Sequence, residues 1–356
     1  MFFKNNSLSR IMLHIFFLSK KYFHIFTLFF LLTIGFYGYT LGSKYLSKLE
    51  IKPKDLLNFF SENKEKLNSQ AGITNFLVLG IRGEGTDSPN LTDSIILASL
   101  NQQNDTLTQI GIPRDLWVPS IRDKINTAYH YGQEATTGGG ISLVEASIYE
   151  VTGQPINYTA IINFSFFKQV IDLIGGLDIY VSPGFVDNEF PIPGKENSMP
   201  VSSRFETISF PEGLNHLDGE TALKFVRSRH SPDDQGTDFA RSKRQQQIIS
   251  AIKEKLTSTN FFLDENKVSD LIDIAKNNLI TNLPPSHYPT IARIALDLNK
   301  QNIRAAVLDT TPDVNGISIL YNPPISKTYD NKWVLIPKDN NWKALKLYIE
   351  KIISSP

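Results

Sequence analysis

Apolar residues in this chain recur at two spacings, and the two alternate. Asn75-Phe-Leu-Val-Leu-Gly80 is a short apolar run closed by glycine. Ser94–Leu100 and Leu107–Ile112 are two more, separated by the turn-forming residues Asn101–Asp105. Runs of this length between turn formers predict buried strands. Asp123–Gln133 and Ser142–Thr152 carry their apolar residues at helical spacing. Ile156–Ile162 returns to strand character, Phe164–Ile174 is helical, and Leu177–Val181 is a strand beyond the Gly175-Gly176 break. Residues 182–204 hold Pro183, Pro191, Pro193 and Pro200 and predict a long loop. Helices follow over Asp218–Val226, Asp238–Leu256, Val268–Leu279 and His287–Leu298, then a strand over Ile303–Leu308 and a closing helix over Asn341–Ile353. Strands alternating with helices predict an α/β domain. No linker-like segment divides it, so residues 74–356 read as one unit.

The N-terminus has a different pattern. No residue between Lys21 and Lys44 is charged. At 1.5 Å per residue the stretch over 22–42 spans roughly 31 Å, the thickness of a hydrocarbon core. Lys4, Arg10, Lys20 and Lys21 precede it, so the positive-inside rule predicts a cytoplasmic N-terminus over residues 1–21 and an extracytoplasmic remainder. No small-residue cleavage site follows, which favours an uncleaved single-pass anchor in the cell membrane over a signal peptide. Residues 43–73, polar and mixed in charge, are expected to form a juxtamembrane stalk.

Composition narrows the function classes. Lys and Arg together number 36, as do Asp and Glu. A net charge of zero argues against nucleic acid as a partner. The absence of cysteine excludes disulfides, thiolate catalysis and zinc–thiolate sites. The histidines show no metal-ligand spacing, and no Gly-x-Ser-x-Gly or His-Glu-x-x-His motif is present.

Against this neutral background, Arg227, Arg229, Arg241 and Arg244 lie close together and interrupt apolar periodicity. Arginine's planar charged fork matches phosphate or carboxylate oxygens. Arg227 and Arg229 share a face only where the chain is extended, and Pro232 favours such a break after the helix ending near Val226. Arg241 and Gln245 stand four apart on the next helix and share a face. Asp238 is that helix's cap or first-turn acid. Arg114 and Asp115 follow an apolar strand. Asp93 opens another, with Glu84 and Asp87 just upstream in the loop Gly83-Glu84-Gly85-Thr86-Asp87. Two readings of Asp93 stand side by side: a carboxylate cluster at a strand mouth that holds a hard cation, or a turn aspartate capping its own backbone. Gly80-Ile-Arg-Gly-Glu-Gly85 fits neither a P-loop nor a dinucleotide fingerprint, and a hairpin connection is the better reading.

The order of these pieces resembles the LytR–CpsA–Psr family over roughly residues 74–350. The matching segments are Asn75–Gly80, Leu91–Leu97, Gly111-Ile-Pro-Arg-Asp-Leu-Trp-Val118, Asp123–Tyr129, Asn163-Phe164, Ile174–Ile179, Leu214–Leu223, Phe225–His230, Asp238-Phe-Ala-Arg241 and Arg244–Gln247. The resemblance implies an α/β/α sandwich with a mixed central sheet, behind one N-terminal transmembrane helix. It implies a phosphotransferase that moves a glycopolymer from a polyprenyl (pyro)phosphate carrier to peptidoglycan through a phosphodiester, with pyrophosphatase activity as a side reaction. Its partners are then the lipid-linked glycopolymer, peptidoglycan and the membrane. Asp93 matches a Mg²⁺ (or Mn²⁺) ligand, and Arg114, Arg227, Arg229, Arg241 and Gln245 match pyrophosphate-binding positions. Arg114, Arg227 and Arg229 supply the catalytic charge, with Asp115 and Asp238 as candidates for the base. Phe164, Phe166 and Phe167 read either as core or as a lining for the lipid tail. The family's Leu-Gly-x-Asp pattern, which provides a second carboxylate, is broken here by Leu79-Gly80-Ile81-Arg82. Asp87 or Glu84 is expected to replace it. The alternative that this departure favours is a polyprenyl-phosphate-binding envelope protein or regulator without turnover.

Overall fold

The computed structural model describes residues 42–43, 46–52, 55, 67–83, 88–195, 197–258, 261, 264–298, 302–310 and 318–355. The run over 22–42, Gly42 apart, therefore lies outside the described residues, as do Glu84 and Asp87. Among the described residues no helix is long and apolar enough to cross a membrane. Where the expected stalk is described it touches the domain, because Lys48 Nζ meets Asp273 Oδ2 at 2.5 Å.

The chain begins its sheet with β1 (Ile73–Ile81), β2 (Thr92–Asn101) and β3 (Thr106–Gly111), then makes the short strands β4 (Trp117–Val118) and β5 (Asp123–Lys124). Helices α1 (Ala128–Ala135) and α2 (Gly139–Thr152) lead to β6 (Tyr158–Asn163), α3 (Phe164–Leu173) and β7 (Leu177–Val181). A hairpin of β8 (Phe185–Pro191) and β9 (Phe205–Phe210) follows, then β10 (Gly213–Leu217), α4 (Gly219–Arg227), α5 (Asp238–Ser258) and α6 (Glu265–Asn278). The chain closes with β11 (Leu279–Thr281), α7 (Tyr288–Asp297), β12 (Ile303–Val307), β13 (Leu320–Tyr321), β14 (Ile336–Pro337) and α8 (Trp342–Ser354).

The central sheet runs β11-β6-β1-β2-β3-β12. It is mixed: β1 pairs antiparallel with β2 and parallel with β6, and β3 pairs antiparallel with β2 and parallel with β12. Period-two alternation places its side chains on two faces. Leu77, Leu79 and Ile81 of β1 pack with Val144, Ile148 and Val151 of α2 and with Leu345, Ile349 and Ile353 of α8. Those helical residues repeat at three and four, so each helix turns one apolar stripe to the sheet. Phe76 has the opposite parity and packs with Ile291 and Ile294 of α7. Helices thus cover both faces of a mixed sheet, as the α/β reading requires. A second large core joins α3, α4 and α5 to β7–β10 through Ile171, Ile179, Phe185, Phe210, Phe225 and Ile248.

Two segments depart from the sequence reading. Asp123 and Lys124, expected to open a helix, form β5 opposite β4, and helix begins only at Ala128. Asp123 is buried and accepts from Tyr131 Oη at 2.5 Å and Lys332 Nζ at 2.7 Å, contacts that a helical start would forfeit. The expected loop over 182–204 contains β8, whose Phe185 and Pro191 stand opposite Phe210 and Phe205. Pro183 precedes this strand and Pro191 ends it. In a two-stranded hairpin those positions need not donate to a ladder. Phe185, Phe210 and Phe225 form a ring cluster with centroids 5.1–6.0 Å apart, which anchors the hairpin to α4.

Candidate active site

The sheet order decides which residues meet. Because β2 is antiparallel to β1 and β3, its start lies at the same edge as the carboxyl ends of β1, β3 and β6. Open α/β sheets bind ligands outside those ends. The residues leaving this edge are Arg82, Asp93, Arg114-Asp115 and Asn163-Phe164. As expected, the stretch after Gly80 serves as the β1–β2 hairpin connection. Gly83 turns it with φ +88°, and a Cβ there would stand 3.0 Å from that of Asn163, so only glycine fits. The Asn163 side chain is itself committed, capping α3 by accepting from the Phe166 N–H at 2.7 Å.

Asp93 sits between two arginines. Arg82 Nε donates to Oδ2 at 2.8 Å, and Arg114 Nη1 donates to Oδ1 at 2.7 Å. Burial alone would raise its carboxyl. The Arg82 hydrogen bond and charge, then those of Arg114, outweigh that and hold it below the usual carboxylate range. Arg114 is pulled down by burial, but Asp93 and Asp115 overcome this and push it above its ordinary value. Its Nε lies 3.5 Å from Asp115 Oδ2, near enough for charge attraction, yet this buried atom makes no directed hydrogen bond. Asp115 Oδ1 takes Lys124 Nζ at 2.7 Å, so the candidate base faces two cations. The side-chain carbonyl of Asn126 is also buried without a partner, while its backbone N–H donates to the Arg114 carbonyl at 3.2 Å.

Arg227 joins the same group from α4. Its guanidinium lies over Phe164 at 4.6 Å and Phe190 at 5.2 Å from the ring centroids. Burial lowers it, attraction to Asp93 and then Glu220 opposes this, and repulsion from Arg82 and Arg114 adds to the lowering. Among the described residues it has no hydrogen-bond acceptor. Helix α4 ends at Arg227 and Ser228 is extended, at φ −54° and ψ 135°, so the break expected after Val226 occurs one residue later. Arg229 then lies on the emerging chain, half-buried.

Arg244 is not an anion ligand. It is 2% exposed, and its guanidinium donates to the carbonyls of Phe225 (2.9 Å), Gln235 (2.9 Å) and Ser228 (2.6 Å) while stacking on Phe185 at 4.8 Å. Burial and then the like charge of Arg241 pull it down to about 10. On the other side of the same turn, the fully buried Asp187 accepts at Oδ2 from Ser228 Oγ (2.7 Å) and from the N–H groups of Arg229 (3.0 Å) and His230 (3.1 Å). A buried cation therefore takes the carbonyls of the arginine-bearing turn, and a buried anion takes its N–H groups. Sequence reading missed Asp187 because it fell in the expected loop. The signal available was an acid two residues after Phe185, in phase with that buried ring.

Of the predicted residues, Asp93, Arg114 and Arg227 come together, with Arg82 added. Asp115 adjoins them through Arg114. Arg241 and Gln245 lie half-buried near the start of α5, whose first residue is Asp238. The residue before that helix, Thr237, accepts the Arg241 N–H at its carbonyl and the Ala240 N–H at Oγ1. Phe164 and Phe167 pack at the border of the second core. A cavity of about 360 Å³ lined by Phe185, Phe210, Pro232 and Asp233 contains none of the site arginines. Both oxygens of Asp93 are engaged by arginines and no group of three potential metal ligands occurs among the described residues, outside which lie Glu84 and Asp87, the carboxylates expected beside Asp93.

Comparison with known proteins gives a consistent picture. The model of the LytR_cpsA_psr family matches residues 36–333. A polyisoprenyl-teichoic acid–peptidoglycan teichoic acid transferase, TagU, of Bacillus cereus is 28% identical over 255 residues, 70% of this chain and 74% of that protein. A transferase of the same description, TagV of Bacillus subtilis, is 30% identical over 218 residues, 60% of this chain and 48% of its own length. Among solved structures, B. subtilis TagV superposes with a TM-score of 0.54 at 22% identity, covering 81% of this chain and 100% of that one. TagT bound to LI-WTA superposes at 0.52 with 20% identity, covering 82% and 95%. These structural likenesses extend to the fold.

Proposed function

The chain belongs to the LytR–CpsA–Psr family, and from that premise we propose that it is a transferase moving a glycopolymer from a polyprenyl diphosphate carrier onto peptidoglycan. The observation that carries this is Arg227, a half-buried guanidinium with no acceptor among the described residues, held on two aromatic rings in the field of Arg82, Asp93 and Arg114. A cation partly withdrawn from water, with aromatic faces and no acceptor beside it, is poised to take an anion. Among the described residues Arg82, Arg114, Arg227 and Lys124 against Asp93 and Asp115 leave a net charge of +2 at the sheet mouth, and a diphosphate diester carries two negative charges. In the reaction, a peptidoglycan hydroxyl oxygen attacks the phosphorus that bears the polymer. The bond from that phosphorus to the bridging oxygen breaks, and polyprenyl monophosphate leaves with that oxygen. Charge builds on the phosphoryl oxygens, where preorganised arginines have most effect. The hydroxyl proton goes to a base, for which Asp115 and Asp238 are the candidates. The rings of Phe164 and Phe190 would continue toward the lipid tail.

In this scheme the uncharged run over 22–42 would anchor the protein by a single membrane pass, with the domain on the outer face beside its lipid donor. Full-length protein in detergent, given lipid-linked polymer and peptidoglycan, should release polyprenyl phosphate and label the wall. Arg227→Ala should lower transfer by about 10²-fold or more. The second reading, lipid binding without turnover, is favoured by Arg82 standing where a second carboxylate was expected. Tight, Arg227-dependent binding with no transfer would establish it instead.

A further inference from the structure

We propose that Trp333 is the stacking platform for a sugar ring of the acceptor glycan, one lysine away from the candidate base Asp115. This rests on the transferase reading above. Lys124 makes the link: its Nζ donates to Asp115 Oδ1 at 2.7 Å and stands 5.8 Å from the centroid of the Trp333 ring. Asp115 continues the line inward, with Oδ2 3.5 Å from Arg114 Nε, and Arg114 Nη1 reaches Asp93 at 2.7 Å. The indole therefore continues from Asp115, whereas the rings assigned to the lipid, Phe164 and Phe190, hold Arg227. The attacking hydroxyl must reach the base, so a sugar seated beyond Asp115 belongs to the acceptor and not to the donor.

An exposed aromatic residue needs no explanation by itself. Trp333 differs because the chain that carries it is fixed on both sides. Leu335 bridges Leu116 in parallel; its N–H donates to the Asp115 carbonyl at 2.9 Å, and its carbonyl accepts the Trp117 N–H at 2.9 Å. Val334 is fully buried against Trp117 and Ile336, and its carbonyl takes Asn322 Nδ2 at 2.7 Å. Before the tryptophan, Lys332 Nζ meets the buried Asp123 at 2.7 Å. The ring itself stays 47% exposed. A large amphipathic ring held ready in this way loses little freedom on binding. Its face carries negative charge density, which attracts the polarised C–H groups on the flat side of a pyranose. Lys124 and Lys332 are each engaged by one carboxylate and keep further N–H donors for hydroxyls. A lipid surface is the poorer occupant, because covering the indole with hydrocarbon would draw these two ion pairs out of water with it.

The test titrates full-length protein in detergent, by calorimetry, with a soluble disaccharide peptide released from peptidoglycan by muramidase. Trp333→Ala should weaken its binding about tenfold or more, as loss of one stacking ring does elsewhere. Trp333→Gln, suited to an exposed position, should match the alanine variant, and Trp333→Phe should recover most of the affinity. Geranylgeranyl diphosphate, titrated in parallel, should bind all four proteins within about twofold. In the transfer assay Trp333→Ala should raise the KM for acceptor about tenfold and leave the KM for lipid-linked donor unchanged. Fragment binding equal in wild type and both ring-less variants would overturn the subsite, and so would a rise in the donor KM in place of the acceptor's. Equal loss of fragment and diphosphate binding would overturn it too, making Trp333 a structural residue. A wild type that binds the fragment through Trp333 yet transfers nothing would uphold the subsite and overturn the transferase reading, so the two failures are told apart.

Discussion

Replacing Asp187 with alanine asks whether the arginine-bearing turn is held in place from outside itself. The carboxylate is fully buried and serves four donors: Ser228 Oγ, the N–H groups of Arg229 and His230, and at its other oxygen the Glu189 N–H at 3.0 Å. A buried donor left without its acceptor costs about 1–3 kcal/mol, which over four groups is roughly 4–12 kcal/mol. Three of the donors lie on one short segment, Ser228–His230, that can swing toward water once released. The expected loss is therefore at the low end, about 3–4 kcal/mol, still a large part of a domain's ~5–15 kcal/mol. Asp187→Asn keeps one acceptor oxygen without the charge and should lose about 1–2 kcal/mol. Urea unfolding followed by circular dichroism gives the stability. Transfer measured well below the unfolding midpoint gives the effect on the site. Activity should fall more than the folded fraction, because the released segment carries Arg229 and adjoins Arg227. An alanine variant of wild-type midpoint and full transfer would refute this account of the turn.

Three further outcomes are expected. Arg244→Lys leaves one ammonium for three carbonyls at 2.9, 2.9 and 2.6 Å and should lower stability by about 2–3 kcal/mol in the same unfolding assay. Phe164→Leu removes the ring 4.6 Å from the Arg227 guanidinium and should weaken diphosphate binding by about 0.5–2 kcal/mol, read by calorimetry. The pH dependence follows from Asp187, which burial would raise but which the Ser228 hydroxyl and the His230, Arg229 and Glu189 N–H groups hold below its ordinary value. A depressed carboxyl stabilises the fold above its unfolded pKa of about 3.9, and that share is lost as pH falls from there through the folded value. The Tm difference between wild type and Asp187→Asn should accordingly be constant near neutrality and shrink below about pH 4.

The strands of the central sheet were legible because each is a short apolar run with turn formers at its ends, and β1, β2 and β3 lie within a residue or two of the expected bounds. Asp123–Lys124 and Phe185–Pro191 were not, for the same physical reason. Their conformation depends on partners far away in the chain: Lys332 for Asp123, and Phe210 and Phe225 for Phe185. Asp93, Arg114 and Arg227 were legible as chemistry because charged residues at the ends of apolar elements are expensive there without a use. Arg82 was not legible as a site residue. It showed only as the absence of an expected aspartate, when the informative fact was the charge that replaced it.

Arg227 and Arg244 show why arginine content alone does not define an anion site. Arg244 is buried and Arg227 half-buried, both stack on aromatic rings, and both are lowered first by loss of water. Their partners separate them. Arg244 spends its donors on three carbonyls that a helix end and a turn would otherwise leave unpaired, so its burial is complete within the fold. Arg227 has no acceptor among the described residues, and the charges that act on it are Asp93, already claimed by two arginines, those arginines themselves, and Glu220 on its own helix. Protein atoms satisfy the first cation and leave the second unsatisfied. A fold retains the second arrangement at a cost in stability, and binding an anion recovers that cost. The anion-binding role proposed for this edge of the sheet therefore rests on the donors of Arg227 that no described protein acceptor takes. Asp187 and Arg244 clamp the chain on either side of it, Arg244 at the Phe225 and Ser228 carbonyls and Asp187 at the Ser228 hydroxyl and the Arg229 and His230 N–H groups.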